Sequence, residues 1–101
     1  MKLLCNAVDI FAEEMKNTLK ENGHKSGWDE MEINSIVQRI HEEVAELQEY
    51  LTLYNHPQGN SDEVRDMRLG QMHREAIDIA NFCMFLCHNY PIDDKYEEVI
   101  I

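Results

Sequence analysis

Two groups of carboxylates recur at helical spacing: Glu42-Glu43-x-x-Glu46 and, after 28 intervening residues, Glu75-x-x-Asp78. Residues three or four apart share one face of a helix, so each group can offer several oxygens in one direction. Two such pairs on adjoining helices suit hard divalent cations. Mg²⁺ and Mn²⁺ take oxygen ligands and commonly leave their remaining positions to water or substrate phosphates. The competing reading of HEEVAELQEY (41–50) is the solvated side of an ordinary acidic helix, with Glu43 and Glu75 paired to Arg39, Arg74 or other cations.

Helical phase separates these acids. With the apolar stripe of the first acidic helix at zero, Glu42 and Glu49 fall near 180°, toward solvent, at about 100° per residue. On the same scale Glu43 lies about 60° from the stripe and Glu46 about 120°, on the flank that also carries Arg39 and Tyr50. On the following helix Glu75 lies about 40° from its stripe and Asp78 about 100°, with Arg74, Asn81 and Phe85 continuing that flank. Both ridges are offset in the same rotational sense. Antiparallel helices related by a local two-fold therefore bring Glu43, Glu46, Glu75 and Asp78 to one side of their interface. Without a counter-charge such convergence in a partly desolvated site is strongly unfavourable.

The elements that must hold these groups are legible as apolar periodicity. Leu3, Leu4, Ala7, Val8, Phe11, Met15 and Leu19 mark one face of a helix from about 2 to 22, ended by Gly23. A connector, HKSGW at 24–28, precedes a second helix predicted to start at Asp29, with Asp29 and Glu32 as a capping box. Its stripe is Ile33, Ile36, Val37, Ile40, Val44, Leu47, Leu51 and Tyr54. The segment NHPQGNS (55–61) reads as a turn. A third helix is expected from Ser61 or Asp62 to about Tyr90, with Met72, Ala76, Ile79, Cys83 and Leu86 inward and Gly70 as a possible bend. It stops at Pro91, and the tail after it is a candidate final turn. Four Gly and two Pro leave room for long helices, and no segment alternates as a strand would.

The expected fold is therefore all-α: a single domain over 1–101, an antiparallel helical bundle of three main helices plus a short C-terminal segment. Three amphipathic helices in so short a chain leave apolar surface uncovered, so completion of the bundle by self-association is expected. No apolar run reaches the roughly 18 residues of a membrane span, and the N-terminus lacks a cleavage signal. An odd set of cysteines, Cys5, Cys83 and Cys87, suggests a reducing, cytoplasmic setting. A net charge of −11 opposes nucleic-acid backbones and suits divalent cations, a basic partner or plain solubility.

Glu42-Glu43-x-x-Glu46 … Glu75-x-x-Asp78 resembles the EExxE…ExxD motif of MazG-type proteins, in the all-α nucleoside triphosphate pyrophosphatase superfamily. The resemblance spans about residues 25 to 90, with KSGW before the second helix and EAIDIANFCMFL after the gap, as in the compact bacterial and phage type. It implies a helical bundle, dimeric or tetrameric, and Mg²⁺-dependent hydrolysis of a nucleoside triphosphate to monophosphate and pyrophosphate. Glu43, Glu46, Glu75 and Asp78 would be the metal-binding and catalytic carboxylates, with Mg²⁺, or Mn²⁺, as cofactor. Water activated by the metal would attack the α-phosphorus in line. Lys25, Arg39 and Arg74 are candidate phosphate contacts, and Trp28 and Asn81 are candidates to stack on and hydrogen-bond to a base. Glu42 is expected either to support the ligands from behind or to be structural. Against the family pattern the chain is short, and the last helix of the usual bundle is expected to be reduced to the tail.

Other chemistries fit less well. Cys83 and Cys87, with His88, have helical spacing for zinc, but their apolar neighbours predict buried core thiols. Glu21-x-x-His24, the one spacing suited to a di-iron bundle, spans Gly23 at a helix end. The rival functional classes are a non-catalytic acidic interaction protein, acting as a nucleic-acid mimic or inhibitor, and a degenerate family member that binds nucleotide without hydrolysing it.

Overall fold

The computed structural model describes residues 2–22, 27–56 and 61–92. Three α-helices, α1 (Lys2–Glu21), α2 (Ile33–Tyr54) and α3 (Asp62–Asn89), pack together, with a single 3₁₀ turn at Trp28–Glu30 between the first two. No strand occurs among the described residues. No helix among them is long and apolar enough to cross a membrane.

Helices α2 and α3 form the antiparallel hairpin at the heart of the molecule. Their cross-helix partners descend on α3 as they ascend on α2: Arg39 lies over Phe82, Glu43 stands beside Asp78, Glu46 beside Glu75, and Arg65 covers Tyr54. Ser61 fixes where α3 begins, its hydroxyl accepting from the Val64 backbone N–H at 3.2 Å, with Asp62 and Glu63 in the favourable first turn. Gly70 lies inside the uninterrupted α3 and ends no element.

The start of α2 differs from the sequence expectation. Trp28–Glu30 form a separate 3₁₀ turn, Met31 is extended (φ −64°, ψ 134°), and α2 begins only at Ile33. Glu32 occupies the cap position without a side-chain cap hydrogen bond, so the Asp29–Glu32 capping box does not form. The turn itself has a clear cause. Gly27 adopts φ 95°, a left-handed conformation that glycine enters without the steric penalty of a Cβ. The C-terminal end of α3 then holds the turn in place: Asn89 Nδ2 donates to the Trp28 carbonyl at 2.8 Å, and the Tyr90 hydroxyl donates to the Met31 carbonyl at 2.9 Å.

Helix α1 packs on α3 and not on α2. Its C-terminal half supplies the contact, with Phe11, Met15 and Leu19 half-buried, while Leu3, Leu4 and Val8 of the same stripe are exposed. Polar links tie it down: His73 Nε2 lies 3.3 Å from Glu14, Arg74 lies 3.3 Å from Glu21, and Asn81 Nδ2 donates to the Met15 carbonyl at 3.5 Å.

The resulting core is thin. The radius of gyration is 16.6 Å, against about 13 Å for a compact domain of this length. Among the described residues the buried apolar side chains are Ile36, Ile77 and Phe85. Val37 and Leu51, which the stripe on α2 points inward, are nearly half exposed. On α3 the buried line runs through Ile77, Asn81 and Phe85, which turns Cys83 outward. Cys5, Cys83 and Cys87 are all exposed free thiols, so the expectation of buried cysteines is overturned. Gly23, the turn residues Pro57 and Gly59, and the tail from 93 onward lie outside the described residues.

Candidate functional site

The hairpin delivers three carboxylates to one point. Glu43 from α2 and Glu75 and Asp78 from α3 each place an oxygen within 4.8 Å of the others. Glu43 and Glu75 are buried to 7% exposure, and Asp78 is half-buried. Among the described residues, no other group of three or more His, Cys, Asp and Glu side chains has metal-ligand proximity. Cys83, Cys87 and His88 form no such group.

Electrostatics in this cluster are strained in the absence of a cation. Glu75 is pushed up from 4.5 to about 8, first by burial and then by the adjoining Glu43 and Glu46 carboxylates. Asp78 is also raised, chiefly by burial and by Glu43, against the pull of Arg74 and Arg39. One oxygen of Glu75, Oε2, is buried without a hydrogen-bond partner. A buried unpartnered carboxylate oxygen costs free energy unless a proton or cation meets it. An all-oxygen donor set with such an orphaned atom fits Mg²⁺ or Mn²⁺.

The remaining acids divide along the helix phase. Glu42 and Glu49 are exposed. Glu46 is exposed as well and lies outside the three-carboxylate cluster, although it approaches Glu75 closely enough to raise it. Glu46 thus sits at the rim rather than among the converging oxygens.

A cleft of about 640 Å³ adjoins the cluster, sharing Glu43 and Asp78 with it. Trp28, Phe82 and Phe85 supply its aromatic wall, with Arg39 and Asn81 as polar members. Trp28 stacks on Phe85 with centroids 5.1 Å apart and planes inclined by 28°, and it remains 38% exposed. Phe82 meets Phe85 edge-on at 5.6 Å. Asn81 is 5% exposed; with its Nδ2 turned to Met15, its Oδ1 is buried without a partner.

The candidate phosphate contacts separate. Arg39 lines the cleft and bonds Glu42 at 2.7 Å and Glu43 at 3.2 Å. Arg74 is exposed and engaged with Glu21 on α1, so it acts on Asp78 through its field. Lys25 lies outside the described residues. Sequence reasoning missed Phe82 as the ring beneath Arg39 and Thr18 and Asn22 of α1 as cleft residues. Phe82 carried a usable signal, since it follows Glu75 by seven and Asp78 by four and so continues their face.

In comparisons of the chain with family models, with curated proteins and with solved structures, nothing matches.

Proposed function

We propose that the protein is a Mg²⁺-dependent nucleoside triphosphate pyrophosphohydrolase, releasing pyrophosphate and a nucleoside monophosphate. The observation that carries this reading is the convergence of Glu43, Glu75 and Asp78 beside an aromatic cleft. These are three of the four carboxylates, Glu43, Glu46, Glu75 and Asp78, that the MazG-like resemblance implies as ligands. A protein of net charge −11 needs a cationic intermediary to take up a triphosphate, and the cluster is where one fits.

On this reading Glu43, Glu75 and Asp78 hold Mg²⁺ or Mn²⁺. The ion supplies charge neutralisation and Lewis-acid polarisation of the phosphoryl oxygens. Glu46, at the rim next to Glu75, is placed to accept a proton from the attacking water and orient it. Arg39, at the junction of cluster and cleft, meets the phosphate chain as it leaves the base pocket. Trp28 offers a partly exposed indole for stacking, and Asn81, on the cleft wall, is the candidate hydrogen-bonding partner for a base.

The uncovered apolar face of α1 favours a homodimer or homotetramer, and the free thiols favour a cytoplasmic setting. The test is incubation with a panel of standard and modified dNTPs plus Mg²⁺ or Mn²⁺, followed by detection of pyrophosphate and monophosphate. Turnover abolished by EDTA and by Glu43→Gln supports the proposal. No turnover across the panel, with no metal binding by calorimetry, would leave the acidic interaction protein. Nucleotide binding without turnover would leave the degenerate binder.

A further inference from the structure

Arg39 stands where the carboxylate cluster meets the aromatic cleft, and its guanidinium is divided. Nη1 donates to Glu42 Oε2 at 2.7 Å and Nη2 donates to Glu43 Oε1 at 3.2 Å. Its Cζ lies 5.2 Å from the centroid of the Phe82 ring, so the planar group is held from beneath as well as from both carboxylates. The two acids differ in one respect. Glu43 is buried and belongs to the three-carboxylate cluster; Glu42 is exposed and does not. A divalent cation seated among Glu43, Glu75 and Asp78 would compete with Arg39 for Glu43 and would leave the Glu42 contact alone.

We propose that Arg39 is an internal counter-cation that the metal site and the substrate share. It rests on Glu43 while no divalent ion is bound and is displaced from Glu43 when the ion enters. Glu42 and Phe82 then keep it at the cleft, where its freed N–H groups face the triphosphate. Glu42 is in this scheme a positioning residue: it touches neither metal nor substrate and sets where Arg39 goes. The inference rests on the pyrophosphohydrolase reading and adds to it a function for Glu42, an exposed acid of the motif that lies outside the cluster.

The signature is a pair of opposite effects. Mn²⁺ alone is titrated calorimetrically into wild type, Arg39→Gln, Glu42→Gln and the double variant, after circular dichroism has shown each to be folded. Inorganic tripolyphosphate is then titrated into the Mn²⁺-loaded proteins. Arg39→Gln should bind Mn²⁺ about 2–5-fold more tightly, the range expected for loss of one partly exposed ion pair. The same variant should bind tripolyphosphate about 10-fold more weakly, as a charge-assisted pair is lost. Glu42→Gln should bind Mn²⁺ more weakly, because Arg39 settles wholly on Glu43, and the double variant should return to the affinity of Arg39→Gln alone. Arg39→Lys, which keeps the charge without the fork, should fall between wild type and Arg39→Gln in both titrations. Parallel losses of Mn²⁺ and tripolyphosphate affinity in Arg39→Gln, or a Glu42→Gln deficit undiminished in the double variant, would overturn the inference while leaving the pyrophosphohydrolase reading intact. Failure of wild type to bind Mn²⁺ would overturn both.

Discussion

Glu43 and Glu75 come from different helices, are each 7% exposed, and bring carboxylate oxygens within 4.8 Å of one another. Two like charges at that separation in a partly desolvated site cannot both ionise without help. The help within the chain is partial: Arg39 reaches Glu43, while Glu75 keeps one oxygen unpartnered. Protonation of Glu75 and binding of a cation are the two ways to relieve the arrangement.

Stability of the metal-free protein should therefore fall as pH rises. Glu75 is raised in the fold from 4.5 to about 8, so its contribution is fully present below pH 4.5 and lost as pH climbs through about 8. The raised Asp78 acts in the same direction. Urea midpoints measured in EDTA across this range should decline, and Glu75→Gln should flatten the decline. Above pH 8 the variant should be more stable than wild type by ~1–3 kcal/mol.

On the proposed reading, protons and divalent ions would compete for the same oxygens. Mn²⁺ affinity should rise with pH until Glu75 is ionised, near pH 8, and then level off. Calorimetry on either side of that value checks it. Asp78→Asn should bind Mn²⁺ more weakly at every pH, and an affinity independent of pH would count against Glu75 as a ligand.

If the protein is the proposed pyrophosphohydrolase, Glu43→Gln should remove activity, by at least ~100-fold, because it would remove a metal ligand and a charge from the buried cluster. Glu46→Gln should reduce kcat with less effect on Mn²⁺ binding, as befits a rim carboxylate. Glu42→Gln should retain more activity than Glu43→Gln. Equal losses in the Glu42 and Glu43 variants would contradict the phase difference between them.

Gly27→Ala tests the aromatic wall without touching a carboxylate. Forcing a Cβ into φ 95° costs ~1–2 kcal/mol and should displace the Trp28 turn. Trp28 is the chain's one tryptophan, so its emission reports the change directly. The expected outcome is a shifted emission spectrum and a raised KM, with Mn²⁺ affinity unchanged.

The exposed Leu3, Leu4 and Val8 predict concentration-dependent association. Leu4→Glu combined with Val8→Glu should lower the sedimentation coefficient of the associated species toward that of the single chain. Association undiminished in this variant would move the contact surface elsewhere.

Sequence periodicity was sufficient for α1, α2 and α3 because long helices carry several turns of repeating pattern. It also separated Glu43 from Glu42, since a neighbouring residue is rotated by about 100° and one must leave the face the other occupies. It failed where tertiary contacts decide. The Asp29–Glu32 pattern has the composition of a capping box, yet Asn89 and Tyr90 hold the backbone carbonyls of Trp28 and Met31 in a different turn. Cys83 follows an apolar stripe drawn from residue type alone. The observed interface includes Glu75 and Asn81, polar residues that such a stripe leaves out, and including them rotates the buried face away from the thiol. Arg74 sits on the flank facing the cluster, but its partner Glu21 is 53 residues away in sequence and invisible to local pattern.

Of the six side chains that the described residues bury, Ile36, Ile77 and Phe85 are apolar and Glu43, Glu75 and Asn81 are polar. Half of the interior is thus made of groups that a stability-minded designer would replace. Uncharged substitutes of similar volume at Glu43 and Glu75 should fold more firmly where those carboxylates would otherwise be ionised, since they relieve desolvated charge. Such variants would surrender the oxygens that face the cleft. Screens for thermal resistance alone should therefore select against the buried carboxylates first.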